Sequence, residues 1–226
     1  MSGALIEATG LEKSFGRTQA LRGVSLLVAP GEVVAVTGPS GSGKSTLLLC
    51  LSGVMRPDVG EVSYAGTRLT SLKDDQRAQL RRREFGLVLQ FGRLVPELTA
   101  VQNVALPLLL DGAGRTVSRR AALDLLDELG VGDVADALPG ELSGGESQRV
   151  AVARALIAGP RVVFADEPTG ALDTVGGEQL LTRLLLAARS TGAAVVLVTH
   201  DNRVAAHASR EVVLQDGRVR AAEVTS

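Results

Sequence analysis

The octet Gly38-Pro39-Ser40-Gly41-Ser42-Gly43-Lys44-Ser45 follows directly on the apolar run Val33–Thr37 and constrains the chain more than any other segment. It fits the pattern G-x-x-x-x-G-K-[ST], and the run before it reads as a strand. A strand, a glycine-rich loop and a helix in that order make a seat for phosphate. The glycines let backbone N–H groups approach phosphate oxygens, and the helix adds the positive end of its dipole. Lys44 reaches the outer phosphates and the Ser45 hydroxyl can ligate Mg²⁺. An ordinary glycine-rich turn needs neither Lys44 nor three nearby glycines, so the segment points to ATP or GTP.

The rest of the chain alternates short apolar runs with longer helical patterns. Val24–Ala29, Gly86–Leu89, Arg161–Ala165 and Ala193–Thr199 read as further strands. Gly43–Val54, Val117–Leu129, Gly144–Ala158 and Gly176–Ser190 read as helices, which predicts an α/β fold with a mixed, mainly parallel sheet and crossover helices. The stretch up to Ala29 and the ending Val212–Val219, with its Asp216-Gly217 turn, have the pattern of antiparallel hairpins. Thr99 to Glu141 shows two helical patterns and no strand. We therefore expect one domain over 1–226, with a helical subdomain inserted at about 99–158.

The chain has 226 residues, 45% hydrophobic and 22% charged, which is enough apolar material for a real core. A net charge of −1 supplies no global field for a polyanion, so nucleic acid is not an expected partner. Cys50 is the single cysteine; no intramolecular disulfide is possible, and its apolar neighbours make it a small buried hydrophobe. No apolar run reaches membrane-spanning length and the first residues do not resemble a secretory leader. A cytoplasmic protein whose membrane role comes through a partner chain is the expectation.

Asp166-Glu167-Pro168 ends the run Arg161–Ala165, and Pro168 forbids a central strand from continuing. Side chains alternate along a strand, so one carboxylate is expected to face Mg²⁺ and the other the attacking water; we assign Asp166 to the metal and Glu167 to the base. His200 sits where Ala193–Thr199 meets a loop. Ligands of open parallel sheets bind beyond the carboxyl ends of strands, and the phosphate loop, Asp166-Glu167 and His200 all fall at such ends. His200 is expected to contact the γ-phosphate or the attacking water, whereas His207 reads as structural or exposed.

Leu142-Ser143-Gly144-Gly145-Glu146-Ser147-Gln148-Arg149 opens a helix. Ser143 and Glu146 form a capping box, which by itself accounts for both. Gly144 and Gly145 in the first helical turn each weaken a helix by about 1 kcal/mol relative to alanine. Phosphate approaching bare backbone N–H groups explains that sacrifice, and a capped, glycine-rich helix start is compatible with both readings.

With this segment the chain resembles the nucleotide-binding subunits of ABC transporters, in which it is the signature motif. The resemblance runs over almost the whole chain, in order: Phe15, the phosphate loop Gly38 to Thr46, Gln90, Ser143 to Glu146, Asp166-Glu167, Ala171-Leu172-Asp173 and His200. It implies the P-loop ABC ATPase fold, ATP and Mg²⁺ as ligands, and a homodimer formed on ATP binding. In that dimer Ser143, Gly144, Gly145 and Glu146 of one subunit, with Asp173, close over ATP held by the other. It further implies that Phe15 stacks on adenine, where core packing is the alternative, that Thr46 joins the phosphate contacts, and that Gln90 touches the Mg²⁺ site while its loop senses the transport partner. The implied catalytic set is Glu167, His200, Lys44 and Gln90; the implied metal set is Ser45, Gln90 and Asp166.

Gln90-Phe91-Gly92-Arg93-Leu94-Val95-Pro96-Glu97-Leu98-Thr99, Asn103-Val104 and Asp166 to Asp173 look like the branch that serves macrolide export, lipoprotein release, antimicrobial-peptide resistance and cell division. Gly92-Arg93 departs from it, since this branch commonly has a second aromatic or polar residue and then Asn there. Val104–Leu110, with Pro107 inside, is either an exposed docking surface or buried helix. Arg81-Arg82-Arg83 reads as a solvated helix face, with anionic lipid as the alternative. The short sequence after Asp216-Gly217 leads us to expect the permease as a separate chain, at the inner face of the cell membrane.

Overall fold

The computed structural model describes residues 3–90 and 92–220. Phe91, part of the segment that marks the branch, lies outside them. Contacts divide the chain into two compact units, one of residues 1–81 and 194–226, the other of residues 82–193.

In the first unit, β1 (Ile6–Phe15) and β2 (Thr18–Val28) form the expected antiparallel pair, with Ile6 opposite Val28 and Phe15 opposite Thr18. Buried and exposed residues alternate along much of both, as in a sheet with one face on the core. A strand absent from the sequence reading, β4 (Val59–Tyr64), pairs antiparallel with the other edge of β1, and β5 (Thr67–Arg68) follows it. The parallel part centres on β3 (Val33–Thr37), flanked by β8 (Ala194–Val198) and β9 (Arg210–Gln215). All five residues of β3 and all five of β8 are buried, which is why both read as unbroken apolar runs. Each fully buried Val or Leu contributes about 1.5–3 kcal/mol relative to exposure. β9 also pairs antiparallel with β10 (Arg218–Val219). The chain's last hairpin is thus antiparallel within itself and parallel to β3.

α1 (Lys44–Leu51) follows the phosphate loop and buries Leu47, Leu48, Cys50 and Leu51. α2 (Asp74–Glu84) carries the arginine cluster. That cluster is solvated only in part: Arg83 is exposed, but Arg81 donates to the Gly53 carbonyl at 2.9 Å, and Arg83 and Arg82 lie 2.8 and 3.6 Å from Asp111.

In the second unit β6 (Phe85–Val88) and β7 (Val162–Asp166) are parallel neighbours, Val88 opposite Ala165. The rings of Phe85 and Phe164 meet edge to face, centroids 5.2 Å apart, a geometry worth about 0.5–1.5 kcal/mol beyond area burial. Among the described residues no strand falls between β6 and β7. Their place is taken by α3 (Ala100–Leu110), α4 (Arg115–Glu128) and α5 (Gly144–Leu156), and α6 (Thr174–Thr191) follows β7. Thr99 and Gln102 close a capping box at the start of α3. The branch residue Asn103 is fully buried there. Its Oδ1 accepts from the Val95 N–H at 2.7 Å, while Nδ2 lies 2.9–3.1 Å from the carbonyls of Leu98, Val95 and Thr99, fixing the loop before the helix. Val104 and Ala105 are buried, Leu106 to Leu109 are half-buried and Leu110 is exposed, so Val104–Leu110 is a helix that emerges from the core along its length.

Candidate functional site

The phosphate loop leaves β3 at Thr37 and enters α1 at Lys44. Two of its glycines have no alternative. A Cβ on Gly38 would lie 2.0 Å from the Leu214 carbonyl oxygen, and one on Gly43, at φ +103°, 2.3 Å from that of Ala20. Any side chain at either position would displace the loop. Gly43 is the N-cap of α1 and offers no side-chain oxygen, whereas Thr99, Ser143 and Asp173 cap α3, α5 and α6 with theirs. The first N–H groups of α1 therefore remain for an anion. Lys44 is 8% exposed, and its Nζ donates to the carbonyls of Gly38 and Pro39, both at 2.8 Å, which holds the ammonium across the loop it belongs to.

His200 lies two residues past the end of β8 and Gly38 one residue past β3. The parallel register, Val36 opposite Val198, brings both to the same end of adjacent strands. His200 is exposed; the hydroxyl of the fully buried Thr199 accepts from the Asp201 N–H at 3.1 Å and shapes the turn behind it. Phe15 ends β1 and is 49% exposed, with Lys13 Nζ 5.8 Å from the ring centroid. It is not packed in the core.

In the second unit the parallel pairing of β6 and β7 sends Gln90 and the pair Asp166 and Glu167 out at one end. Asp166 is the last residue of β7 and is buried. Glu167 corrects the alternation on which its role was argued. It lies beyond the strand in the left-handed region, at φ +48°, so the backbone turn and not the strand pleat sets its direction. For a residue with a Cβ such a conformation costs on the order of 1–3 kcal/mol, and it recurs where a site dictates the backbone. Gln90 is exposed.

The capping box at Ser143 is present as expected. Ser143 Oγ accepts from the Glu146 N–H at 3.3 Å, and Glu146 Oε2 accepts from the Ser143 N–H and hydroxyl, both at 2.7 Å. Those bonds from Ser143 hold the Glu146 carboxyl below the ordinary glutamate range. Gly144 faces Ala171 and Gly145 faces Leu172, so the start of α5 packs on the loop that begins α6. Asp173, expected at the nucleotide, uses Oδ1 to accept from the Gly176 N–H at 2.7 Å as the N-cap of α6. Ser143, Glu146, Asp173, Val175 and Gln179 line a groove of about 430 Å³.

Sequence reasoning missed three arginines. Arg154 of α5 donates from Nη2 to the Gly92 carbonyl at 2.9 Å and from Nη1 to that of Arg93 at 3.1 Å. Gly92 and Arg93 are both left-handed, φ +70° and +44°, which turns the two carbonyls onto one guanidinium. The unusual Gly92-Arg93 pair thus fastens the loop after Gln90 to the signature helix. Arg149 donates to the Leu129 carbonyl at 3.1 Å, and Arg183 to that of Glu128, so two cations cap the C-terminus of α4, where the helix dipole favours them. Only the arginine type at a helix spacing was visible beforehand.

A P-loop α/β chain with a glycine-rich capped helix and a strand-end acid pair is the architecture of an ATP-binding cassette. The family described as ABC transporter matches residues 21–170, and the chain belongs to that family. It is 41% identical over 213 residues to the lipoprotein-releasing system ATP-binding protein LolD of Porphyromonas gingivalis, covering 94% of this chain and 97% of that protein. It is 43% identical over 223 residues to the macrolide export ATP-binding/permease protein MacB of Wolinella succinogenes, covering 97% of this chain. The chain spans about a third of the length of the ATP-binding/permease relatives it matches. Among solved structures, the dimeric post-hydrolysis state of the ATP-binding cassette MJ0796 bound to ADP and Pi superimposes with a TM-score of 0.90, at 38% identity, over 95% of this chain and 96% of that one.

Proposed function

We propose that the chain is the ATP-binding and ATP-hydrolysing subunit of an ABC complex that drives a separate membrane permease. The observation that carries this reading is the loop Gly38–Thr46, whose backbone approach excludes a Cβ at Gly38 and Gly43 and whose helix begins without a side-chain cap. An uncapped helix start behind a lysine is built for a polyphosphate.

In this reading a copy of the chain pairs head to tail with a second one, and Ser143, Gly144, Gly145, Glu146 and Asp173 of each meet the ATP on the other's phosphate loop. The dimeric cassette bound to ADP and Pi supports that assembly. Phe15 stacks on adenine; the backbone from Gly38 to Thr46 and Lys44 hold the phosphates. Ser45, Gln90 and Asp166 offer hydroxyl, amide and carboxylate oxygens, the hard donors Mg²⁺ takes, and the ion would neutralise charge on the outer phosphates. Glu167 accepts a proton from water as the water oxygen bonds to the γ-phosphorus; the bond from that phosphorus to the bridging oxygen breaks, and ADP and phosphate leave. His200, beside the phosphate loop at the strand ends, orients the γ-phosphate.

The kinship with LolD and with the ATP-binding part of MacB supports a permease partner and a place at the inner face of the cell membrane. No helix among the described residues is long and apolar enough to cross a membrane. The test is co-purification from detergent-solubilised native membranes, with phosphate release and light scattering on the purified chain. A permease-like partner, ATP-dependent dimers and turnover are expected. Recovery without any membrane protein, or no ATP turnover by the recovered complex, would overturn the reading.

A further inference from the structure

We propose that the turn Asp216-Gly217 positions the phosphate loop, its backbone holding the Ser42–Gly43 peptide so that the Gly43 N–H faces the nucleotide. The inference rests on the reading that this loop binds ATP. Nothing in the catalytic assignment uses the turn, although it stands out in the sequence as a hairpin signal.

The hairpin itself is minimal. Gln215 pairs with Arg218, and the two residues between have φ +50° and +74°, as a two-residue turn with both centres left-handed requires. β10 is two residues long. So short a ladder adds little to the sheet, and the turn's polar groups are engaged elsewhere. The Gly217 N–H donates to the Ser42 carbonyl at 3.1 Å, and the Gly217 carbonyl accepts from the Arg22 N–H of β2 at 2.8 Å. Gly217 is therefore wedged between the phosphate loop and β2 with both backbone groups committed.

The space confirms the wedge. A Cβ on Gly217 would lie 2.8 Å from the Ala20 carbonyl oxygen, the same atom that excludes a side chain at Gly43. Two glycines, one in the loop and one in the turn, press on a single carbonyl of β2. At the loop's other end Gly38 stands against Leu214 of β9, the strand that feeds the turn. A peptide bond is planar and trans, so its C=O and N–H point in opposite directions. Fixing the Ser42 carbonyl on the turn aims the Gly43 N–H away from it, into the loop. Ser42's own N–H, in the preceding peptide, is engaged with the Pro39 carbonyl at 3.2 Å, so the residue is held on both sides. A donor held ready before the ligand arrives binds it at lower entropic cost.

The experiment measures ATP Kd by calorimetry and the Gly43 amide resonance in ¹⁵N-glycine-labelled protein, for the wild type and four variants. Gly217→Ala displaces the turn; Gly217→Asn accepts the left-handed φ yet still brings a Cβ against Ala20. Asp216→Gly keeps the Gly217 N–H in place, and Val62→Ala removes core from β4, away from the loop. Loss of one positioned hydrogen bond predicts about a tenfold rise in Kd for both Gly217 variants, with the Gly43 amide shifted before any ATP is added. Asp216→Gly and Val62→Ala should match the wild type in both readings, even where Val62→Ala melts earlier. Folded Gly217 variants with wild-type Kd and an unmoved Gly43 amide would overturn the proposal, as would an equal loss of affinity in Val62→Ala. If the wild type itself bound no ATP, the nucleotide reading would fall, while the Gly43 amide would still decide whether the turn sets the loop.

Discussion

Arg154 spans 62 residues of sequence to donate to Gly92, 2.9 Å away, and in doing so ties the exit of the Gln90 loop to the helix that begins with the signature glycines. Burial pushes the Arg154 pKa down, yet the guanidinium keeps two carbonyl partners. Replacing Arg154 with Leu leaves both carbonyls without their donor and should lower stability by about 1–3 kcal/mol. Arg154→Lys restores one bond and should recover part of the loss. Urea midpoints of the three proteins check this; an unchanged midpoint for Arg154→Leu contradicts it.

Lys44→Ala and Glu167→Gln should fail in different ways. The first removes a cation from the phosphates, so ATP affinity itself falls, by tenfold or more at about 1.5–3 kcal/mol for a charge-assisted bond. The second keeps every binding group and loses only the proton acceptor, so ATP binds, dimers accumulate and turnover drops by about 10²–10⁴. Calorimetry, light scattering and phosphate release separate the two. A Glu167→Gln protein that stays monomeric with ATP would refute the assigned base.

Cys50 is 1% exposed and burial pushes its thiol up to about 11. With the neutral form favoured by folding, this contribution to stability is present below about pH 9 and is lost as pH rises towards 11. An aromatic disulfide reagent at pH 8 should detect no thiol in the native protein and one equivalent per chain in denaturant, because the reacting species is the thiolate. Rapid labelling of the native chain would show that the helix face of α1 opens.

Asp201 caps α7 (Asn202–Ala205) and binds Arg203, with Oδ2 2.7 Å from Nη2. The hydrogen bond from the Arg203 side chain, then that from its N–H, holds the carboxyl at about 2, against an ordinary 3.8. A depressed carboxylate stabilises above its unfolded pKa, so the contribution is full above about pH 4 and vanishes as pH falls towards 2. Asp201→Asn retains a capping oxygen without the charge. The gap in melting temperature between the two proteins should be constant from pH 7 to about 5 and close between about pH 4 and 2; a gap that persists at pH 2 would refute this origin. The pair is exposed, so the gap is small.

Where structure follows from local chemistry, the sequence was enough. β3 and β8 announce themselves as apolar runs because both their faces are buried. The Ser143 and Glu146 box and the Asp216-Gly217 turn are three- and two-residue rules. β4 was illegible because its partner β1 lies some fifty residues upstream, and Gly60, Glu61 and Ser63 dilute its apolar pattern. The left-handed backbone of Glu167 has no signature in residue type, and the role of Arg154 depends on carbonyls that only folding brings near. The partners of Arg81 and Arg83 were hidden for the same reason, since Gly53 lies 28 residues from Arg81 and Asp111 28 from Arg83.

The all-buried β3 makes the first unit its own gauge. Amides of Val34 to Val36 sit in a two-sided ladder and exchange their hydrogens only when the unit as a whole opens, while the adjoining loop begins one residue beyond the strand. A ligand that closes on the loop therefore slows a clock located in the strand, by the factor 1 + [L]/Kd. Isotope exchange at those three residues would thus report nucleotide occupancy in the intact complex, with no label, dye or substitution in the site.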